Sequence, residues 1–204
     1  MKDTRLFTIG HSNRTSDDFV SLLKEFGITA VADVRSSPFS GRNPQFNRDS
    51  LKQDLPNEGI NYVFLGEELG ARRSEPQCYE GDVAKYELIA KAPLFLKGLD
   101  RVRTGLSSYR IALMCAERDP LTCHRTILVC RHLKDEQAIE HIIDHGETES
   151  HADAESRLLK LAGLTEKDLF RSPAEILDEA YEMQGAKIAY RVTPVDEHVK
   201  AGGD

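Results

Sequence analysis

Three features predict a single-domain α/β protein with a mainly parallel sheet of about five strands, flanked by helices in Rossmann-like layering. Short apolar runs alternate along the chain with segments of helical spacing, and Gly, Pro, Asn and Ser clusters separate them. The first strand, helix and second strand follow one another so closely that a parallel pair with a right-handed crossover is expected. No internal repeat, low-complexity tract or second domain interrupts this alternation. The core sheet is expected over residues 1–150, a helical extension over 151–194, and a polar, mobile tail over 195–204.

Leu6-Phe7-Thr8-Ile9 is a short apolar run ended by Gly10, and reads as the first strand. Residues 16–26 place Phe19, Leu22, Leu23 and Phe26 at helical spacing after a Ser/Asp cap, and Gly27 stops the helix. Residues 29–34, Thr-Ala-Val-Ala-Asp-Val, read as a second buried strand. Residues 36–47 are rich in Ser, Pro, Gly and Asn and read as a loop. Residues 48–58 form a short helix closed by Gly59, and residues 61–65 a third strand.

Residues 66–82 carry three glycines, one proline and many charges without a period, which predicts a long loop of the kind that often covers a ligand. Residues 83–105 are helical in pattern with an interruption near Pro93, and residues 109–114 form a fourth strand. Asp119-Pro120 opens another helix, with Asp at the cap and Pro in the first turn. Its stripe of Cys123, Thr126, Ile127, Cys130 and Leu133 should face the sheet. Residues 138–143 form a fifth strand, with His141 a hydrogen-bonded core histidine. Residues 152–162 and 173–184 form helices outside or beside the sheet.

The chain of 204 residues, 40% hydrophobic, is long enough for one sizeable core. No apolar stretch approaches the roughly 20 residues that span a bilayer, and residues 1–5 have no signal-peptide character, so a cytoplasmic protein with no membrane partner is expected. Cys78, Cys115, Cys123 and Cys130 are too few and too irregularly spaced for a disulfide scaffold, and read as reduced thiols. A net charge of −7 argues against general coating of nucleic acid. A local basic patch remains: Arg35, Arg42 and Arg48 lie in a stretch free of acids, and Arg72-Arg73 add two more.

In an open parallel sheet, ligands bind beyond the carboxyl ends of the strands. The segments leaving the first, second and fourth strands are Gly10-His11-Ser12-Asn13-Arg14, Asp33-Val34-Arg35-Ser36-Ser37 and Cys115-Ala116-Glu117-Arg118-Asp119. Each is rich in groups that donate, accept or transfer protons. Cys115 is either a nucleophile activated by His11 or His124, or a small buried residue. Glu117 is either a general acid/base or a solvated charge. Cys123 belongs to the apolar stripe, whereas His124 and Arg125 lie nearer the loop and can hold an anion. Asp33 and Arg35 alternate onto one face, where they can pair with each other or grip a substrate.

A zinc site from Cys115, Cys123, His124 and His11 is a further alternative, although Cys-x7-Cys-His is not a standard knuckle. A Cys-x5-Arg phosphatase loop is excluded because position 121 is leucine. Walker, dinucleotide-binding and nucleophile-elbow motifs are absent.

Thr8-Ile9-Gly10-His11-Ser12, Asp33-Val34-Arg35-Ser36-Ser37-Pro38-Phe39-Ser40, Tyr62 with Leu65-Gly66, and Cys115-Ala116-Glu117 followed by Pro120 and Cys123-His124-Arg125 together resemble the domain-of-unknown-function family 488. The tail Ala180-Tyr181 to Ile188-Ala189-Tyr190 is similar to the longer members of that family. The resemblance covers almost the whole chain; it implies a shared fold and site, and supplies no reaction. A weaker likeness to rhodanese-type sulfurtransferases lies in Asp33-Val34-Arg35 and the later Cys115, but the compact cysteine cradle of those enzymes is missing.

The expected function is therefore a hydrolase or transferase acting on an anionic small molecule, such as a nucleotide or phosphorylated metabolite, or on a nucleic-acid end. Catalysis would fall to Cys115, Glu117, His11 and Asp33, and substrate binding to Ser12, Arg35, Arg42, His124 and Arg125. The alternatives are a non-catalytic nucleotide or nucleic-acid binding module, and a metal-binding protein built on Cys115, Cys123 and His124. No cofactor is expected under the first reading, and zinc under the last. The sequence sets no oligomeric state.

Overall fold

A computed structural model describes residues 5–165 and 168–192. The predicted tail over 195–204 lies outside the described residues. The strands β1 (Leu6–Gly10), β2 (Ala30–Asp33), β3 (Asn61–Phe64), β6 (Ile111–Cys115), β7 (Ile139–Asp144) and β8 (Glu147–Ser150) form one sheet in the order β3-β2-β6-β1-β7-β8. The first five are parallel and β8 runs antiparallel at the edge, so the sheet has one strand more than expected. Its segment Glu-Thr-Glu-Ser carries no apolar alternation, because an edge strand can be held by backbone pairing alone.

Alternating side chains divide the core between the two faces. Phe7, Ile9, Val31, Ala112 and Met114 meet helices α1 (Ser16–Glu25) and α2 (Arg48–Asn57) on one side. Leu6, Ala32, Leu113 and Cys115 face the larger cluster on the other, which includes Phe95, Leu99 and Val102 of helix α5 (Pro93–Leu106). Helix α1 is capped by Thr15, one residue before the expected pair, and its hydroxyl accepts from the Asp18 amide.

The segment predicted as a featureless loop over 66–82 is ordered. It contains the single turn α3 (Gly66–Leu69) and β4 (Tyr79–Glu80), which pairs as a hairpin with β5 (Val83–Ala84); the stretch expected to be helical over 83–105 thus opens with a strand before the turn α4 (Tyr86–Ile89) and helix α5. The buried Arg73 organises it by donating to the carbonyls of Glu67 and Glu68, at 2.8 and 2.7 Å, and to the Glu75 carboxylate. Its amide and carbonyl also bond the Tyr79 hydroxyl. No periodic signal marks this segment because it is held by one guanidinium and by the irregularly spaced core residues Leu69, Ala71 and Cys78.

Asp119 caps as expected, accepting from the Leu121 amide, but only one tight turn follows, over Pro120–Thr122. The helix proper is wound as a π-helix over Arg125–Val129. All five of its residues are buried rather than only the stripe predicted to face the sheet. The reason is above it: helices α6 (His151–Ala162) and α7 (Pro173–Ile188) bring Ala154, Leu158, Ile176, Ala180 and Tyr181 into the same core. Of the two placements expected for these helices, outside or beside the sheet, they take the second and complete one side of the domain. His141 is fully buried on β7 and bonds Thr8 and His151. Among the described residues no helix is long and apolar enough to cross a membrane.

Candidate functional site

The chain leaves β1 for β2, which lies past β6, and leaves β6 for β7, which lies past β1. The connections therefore part in opposite directions between β1 and β6, the kind of switch point where open α/β sheets leave a crevice. A cavity of about 270 Å³ opens beside it. Cys115, Ala116 and Glu117 from the end of β6, with Thr122 and His124, line one wall. Arg35, Ser36 and Ser37 after β2, Ala71 and Arg72 from the 66–82 segment, Tyr86, and Ile188 and Tyr190 after α7 line the rest.

Two glycines let these segments converge. A Cβ on Gly10 would lie 1.9 Å from the Glu117 carbonyl oxygen, so only glycine lets the loop after β6 cross β1. A Cβ on Gly66 would lie 2.0 Å from the carbonyl oxygen of Arg35. Ala84 donates its amide to the Tyr190 carbonyl and Val192 donates to Asp82, so the chain after α7 adds to the β4–β5 hairpin and carries Tyr190 to the cavity.

Cys115, Cys123, Glu117 and His124 come together as the alternatives above required. The Cys115 thiol donates to Glu117 Oε2 at 3.1 Å, and its Sγ lies 3.6 Å from His124 Nδ1. Cys123 Sγ lies 4.0 Å from the same nitrogen and accepts from the Arg125 amide at 3.4 Å. His124 Nε2 is bonded to the Val34 carbonyl at 2.9 Å, which directs Nδ1 toward the two sulfurs. The ligating atoms of Cys115, Cys123 and His124 all lie within 4.8 Å of one another, and His11 is not among them.

The electrostatics separate the two thiols. Burial opposes ionisation of Cys123, but its close contact with Cys115, the Arg125 cation and His124 outweigh it and hold Cys123 well below the usual thiol range. The same contact with Cys123, then burial, raises Cys115. Burial, then the Cys123 charge, raises Glu117. Burial works against a charged His124, yet its bond to Cys123 and the Val34 carbonyl leave it raised. The Arg125 side chain is fully buried, and it donates to the carbonyls of Glu117 and Arg118 and to the Thr8 hydroxyl, with no carboxylate among its acceptors in the described residues. Its charge favours the ionised form of the nearby Cys123.

Other predicted site residues fall elsewhere. Arg125 does not reach the cavity; it holds the loop after β6 in place. His11, Asp33 and the Arg35 head group form a buried cluster on the α1/α2 side of the sheet. Arg35 donates through Nε and NH2 to both carboxylate oxygens of Asp33, and through NH2 to the Phe46 carbonyl. His11 Nδ1 meets the Ser12 carbonyl, its Nε2 faces Arg35 NH1 at 3.1 Å, and its ring stacks on Phe46. Burial, then the Arg35 charge, lowers the His11 pKa to about 4. Ser12 is half-buried at φ +50° and does not line the cavity; its amide bonds the Ala116 carbonyl. Arg42 is exposed in its loop and is not part of the wall.

Composition pointed to Arg72 only as one of a basic pair, yet it is the arginine best placed to meet an anion. It is exposed, its guanidinium lies 4.6 Å from the centre of the Tyr190 ring, and it has no ion-pair partner among the described residues. Tyr86, Thr122 and Tyr190 carried no local signal, since tertiary contacts alone bring them to the wall.

A family model described as "Domain of unknown function DUF488" matches residues 15–131, more than half of the chain. That stretch holds Asp33, Arg35, Arg72 and the whole Cys115–Arg125 loop, and excludes β1 and Tyr190. No curated protein and no solved structure matches the chain.

Proposed function

The chain belongs to the DUF488 family, and from the side chains that meet in its cavity we propose an enzyme of hydrolase or transferase type acting on a small anionic substrate. The observation that carries this reading is that both kinds of group line one cavity. Cys115, Glu117 and His124 line it together with Ser36, Ser37 and Arg72, which has no acidic partner among the described residues. An anionic group held by Arg72 and the serine hydroxyls leaves the adjoining part of the substrate against Glu117 and the thiols. Glu117, exposed at the cavity wall and accepting from the Cys115 thiol, is the proton carrier. The volume suits a phosphorylated metabolite, a nucleotide or the end of a nucleic-acid strand, and is too small for a duplex.

The test is binding of inorganic phosphate and of a mononucleotide by isothermal titration calorimetry. Arg72→Ala should weaken both by about 10-fold, the equivalent of one charge-assisted hydrogen bond, while Arg42→Ala leaves them unchanged. Equal affinity in Arg72→Ala and the parent would sink the proposal. Glu117→Gln should retain binding and lose turnover once a substrate is in hand.

A further inference from the structure

We infer that Cys115, Cys123 and His124 form a zinc site with three protein ligands and a fourth position open to the cavity. The inference deepens the function proposed above, and rests on it for taking the open position as the substrate side.

The argument begins with distances. Zinc bonded to sulfur at about 2.3 Å and to nitrogen at about 2.0–2.1 Å sets tetrahedral ligand separations of about 3.5–3.8 Å. Cys115 Sγ and Cys123 Sγ lie 3.6 and 4.0 Å from His124 Nδ1, and no pair among the three atoms exceeds 4.8 Å. Side-chain adjustments of a few tenths of an ångström up to about 1 Å therefore close the set, without moving the backbone that holds it. Two cysteines and one histidine are donors that zinc prefers, and three protein ligands with an open position are the arrangement of a catalytic rather than a structural site.

The surroundings of the ligands point the same way. The bond between His124 Nε2 and the Val34 carbonyl at 2.9 Å is the outer-shell contact that fixes a ligating histidine's tautomer and ring orientation. In the neutral ring, the form a metal binds, it leaves the lone pair on Nδ1, the nitrogen facing both sulfurs. The Arg125 amide bonds Cys123 Sγ, a contact that supports a ligating thiolate. Cys115 and Cys123 are 3% and 1% exposed, so each is shielded from bulk solvent, and both come from segments anchored by β6 and the π-helix rather than from a free loop. Cys115 and His124 line the cavity together with Glu117, whose Oε2 lies 3.1 Å from Cys115 Sγ, near enough for the carboxylate to receive a proton from a water or substrate atom at a fourth position on the cavity side. The other cysteines serve as internal controls: Cys78 and Cys130 are buried and lie outside the cluster.

The experiment uses the full chain, stripped with a chelator under reducing conditions and reloaded with Zn²⁺ or Co²⁺. About one zinc per chain should remain after gel filtration, measured by elemental analysis. The cobalt form should show a thiolate-to-cobalt charge-transfer band with tetrahedral ligand-field absorption. Cys115→Ser and Cys123→Ser should each weaken zinc binding by more than about 100-fold, beyond the effect of losing an outer-shell partner, and Cys78→Ser should bind as the parent does. If a ligand variant fails to fold, the cobalt spectrum of the unaltered chain decides.

Less than a tenth of an equivalent of zinc in the reloaded parent overturns the assignment. So does a cobalt spectrum without thiolate ligation, or zinc retained in the folded Cys115→Ser/Cys123→Ser double variant. Phosphate titration of the same samples separates the two readings. Zinc without Arg72-dependent phosphate binding leaves the metal site standing and removes the proposed function, and the reverse result removes the metal site alone.

Discussion

Asp33 is fully buried and receives four hydrogen bonds: from the Arg35 amide, from Arg35 Nε and NH2, and from the Tyr62 hydroxyl at 2.8 Å. Two charges in so dry a place are stable only together. Asp33→Asn leaves the Arg35 guanidinium without its counter-charge and should cost about 3–5 kcal/mol. Tyr62→Phe removes one bond to the same carboxylate and should cost about 1 kcal/mol. Urea denaturation of both variants gives the comparison, and equal losses would contradict it. The alternation of Asp33 and Arg35 on one face was legible in the sequence, because strand periodicity fixes it. Whether the pair gripped each other or a substrate was not, since that depends on Phe46 and Tyr62, which arrive from other elements. His11 is the parallel case: its chemistry suggested catalysis, and its packing between Phe46 and Arg35 places it beneath the site.

At the scale of elements, the site exists because the loop after β6 crosses the end of β1 at Gly10. A methyl group there would meet the Glu117 carbonyl at 1.9 Å, its carbon at 2.6 Å and Arg118 Cα at 2.9 Å, all backbone atoms that cannot rotate away. Gly10→Ala should therefore displace the loop, break the bonds from Arg125 to the Glu117 and Arg118 carbonyls, and destabilise the protein by about 3 kcal/mol. Gly41→Ala, with nothing within 4 Å of the added group, should stay within about 0.5 kcal/mol of the parent. Thermal or urea unfolding of the two separates close approach from a general glycine effect. The position of most strands and the chemistry at their ends could be read from sequence because apolar runs and turn residues mark them locally. Their order could not: the sequence predicts that the first two strands pair, and β6, from far later in the chain, lies between them. The π-helical winding, the hairpin pinned by Arg73, and the edge strand β8 carry no periodic signature. Tyr190 reaches the cavity only through pairing between segments about a hundred residues apart, which no local pattern encodes.

Across the whole molecule, buried neutral histidines should govern how stability varies with pH. His11, His141 and His151 are all lowered, in each case by burial first, with His11 at about 4. In the unfolded chain each titrates near 6.5. Between the two values the unfolded state holds more protons, so stability is fully present above pH 6.5 and is lost as the pH falls, at about 1.4 kcal/mol per unit for each histidine. His141 and His151 share one hydrogen bond at 3.0 Å, and His151 also meets the Tyr181 hydroxyl and lies 3.7 Å from the Glu155 carboxylate, which offsets only part of its burial, so the cost of a charge falls mainly on His141. His124 and His145 run the other way: His124 is raised despite its burial, and bonds to Glu25 and Asp18 raise His145, so their contributions are present at low pH and lost as pH rises, that of His145 on the surface where salt screens it. The urea midpoint should thus fall steadily from pH 7 to pH 5. Over that range nuclear magnetic resonance should find the His11 and His141 rings still neutral while His145 is protonated. A midpoint that stays flat across the range would mean that these histidines are charged in the native core, and that the network joining β7 to the C-terminal helices is not the neutral chain its geometry describes.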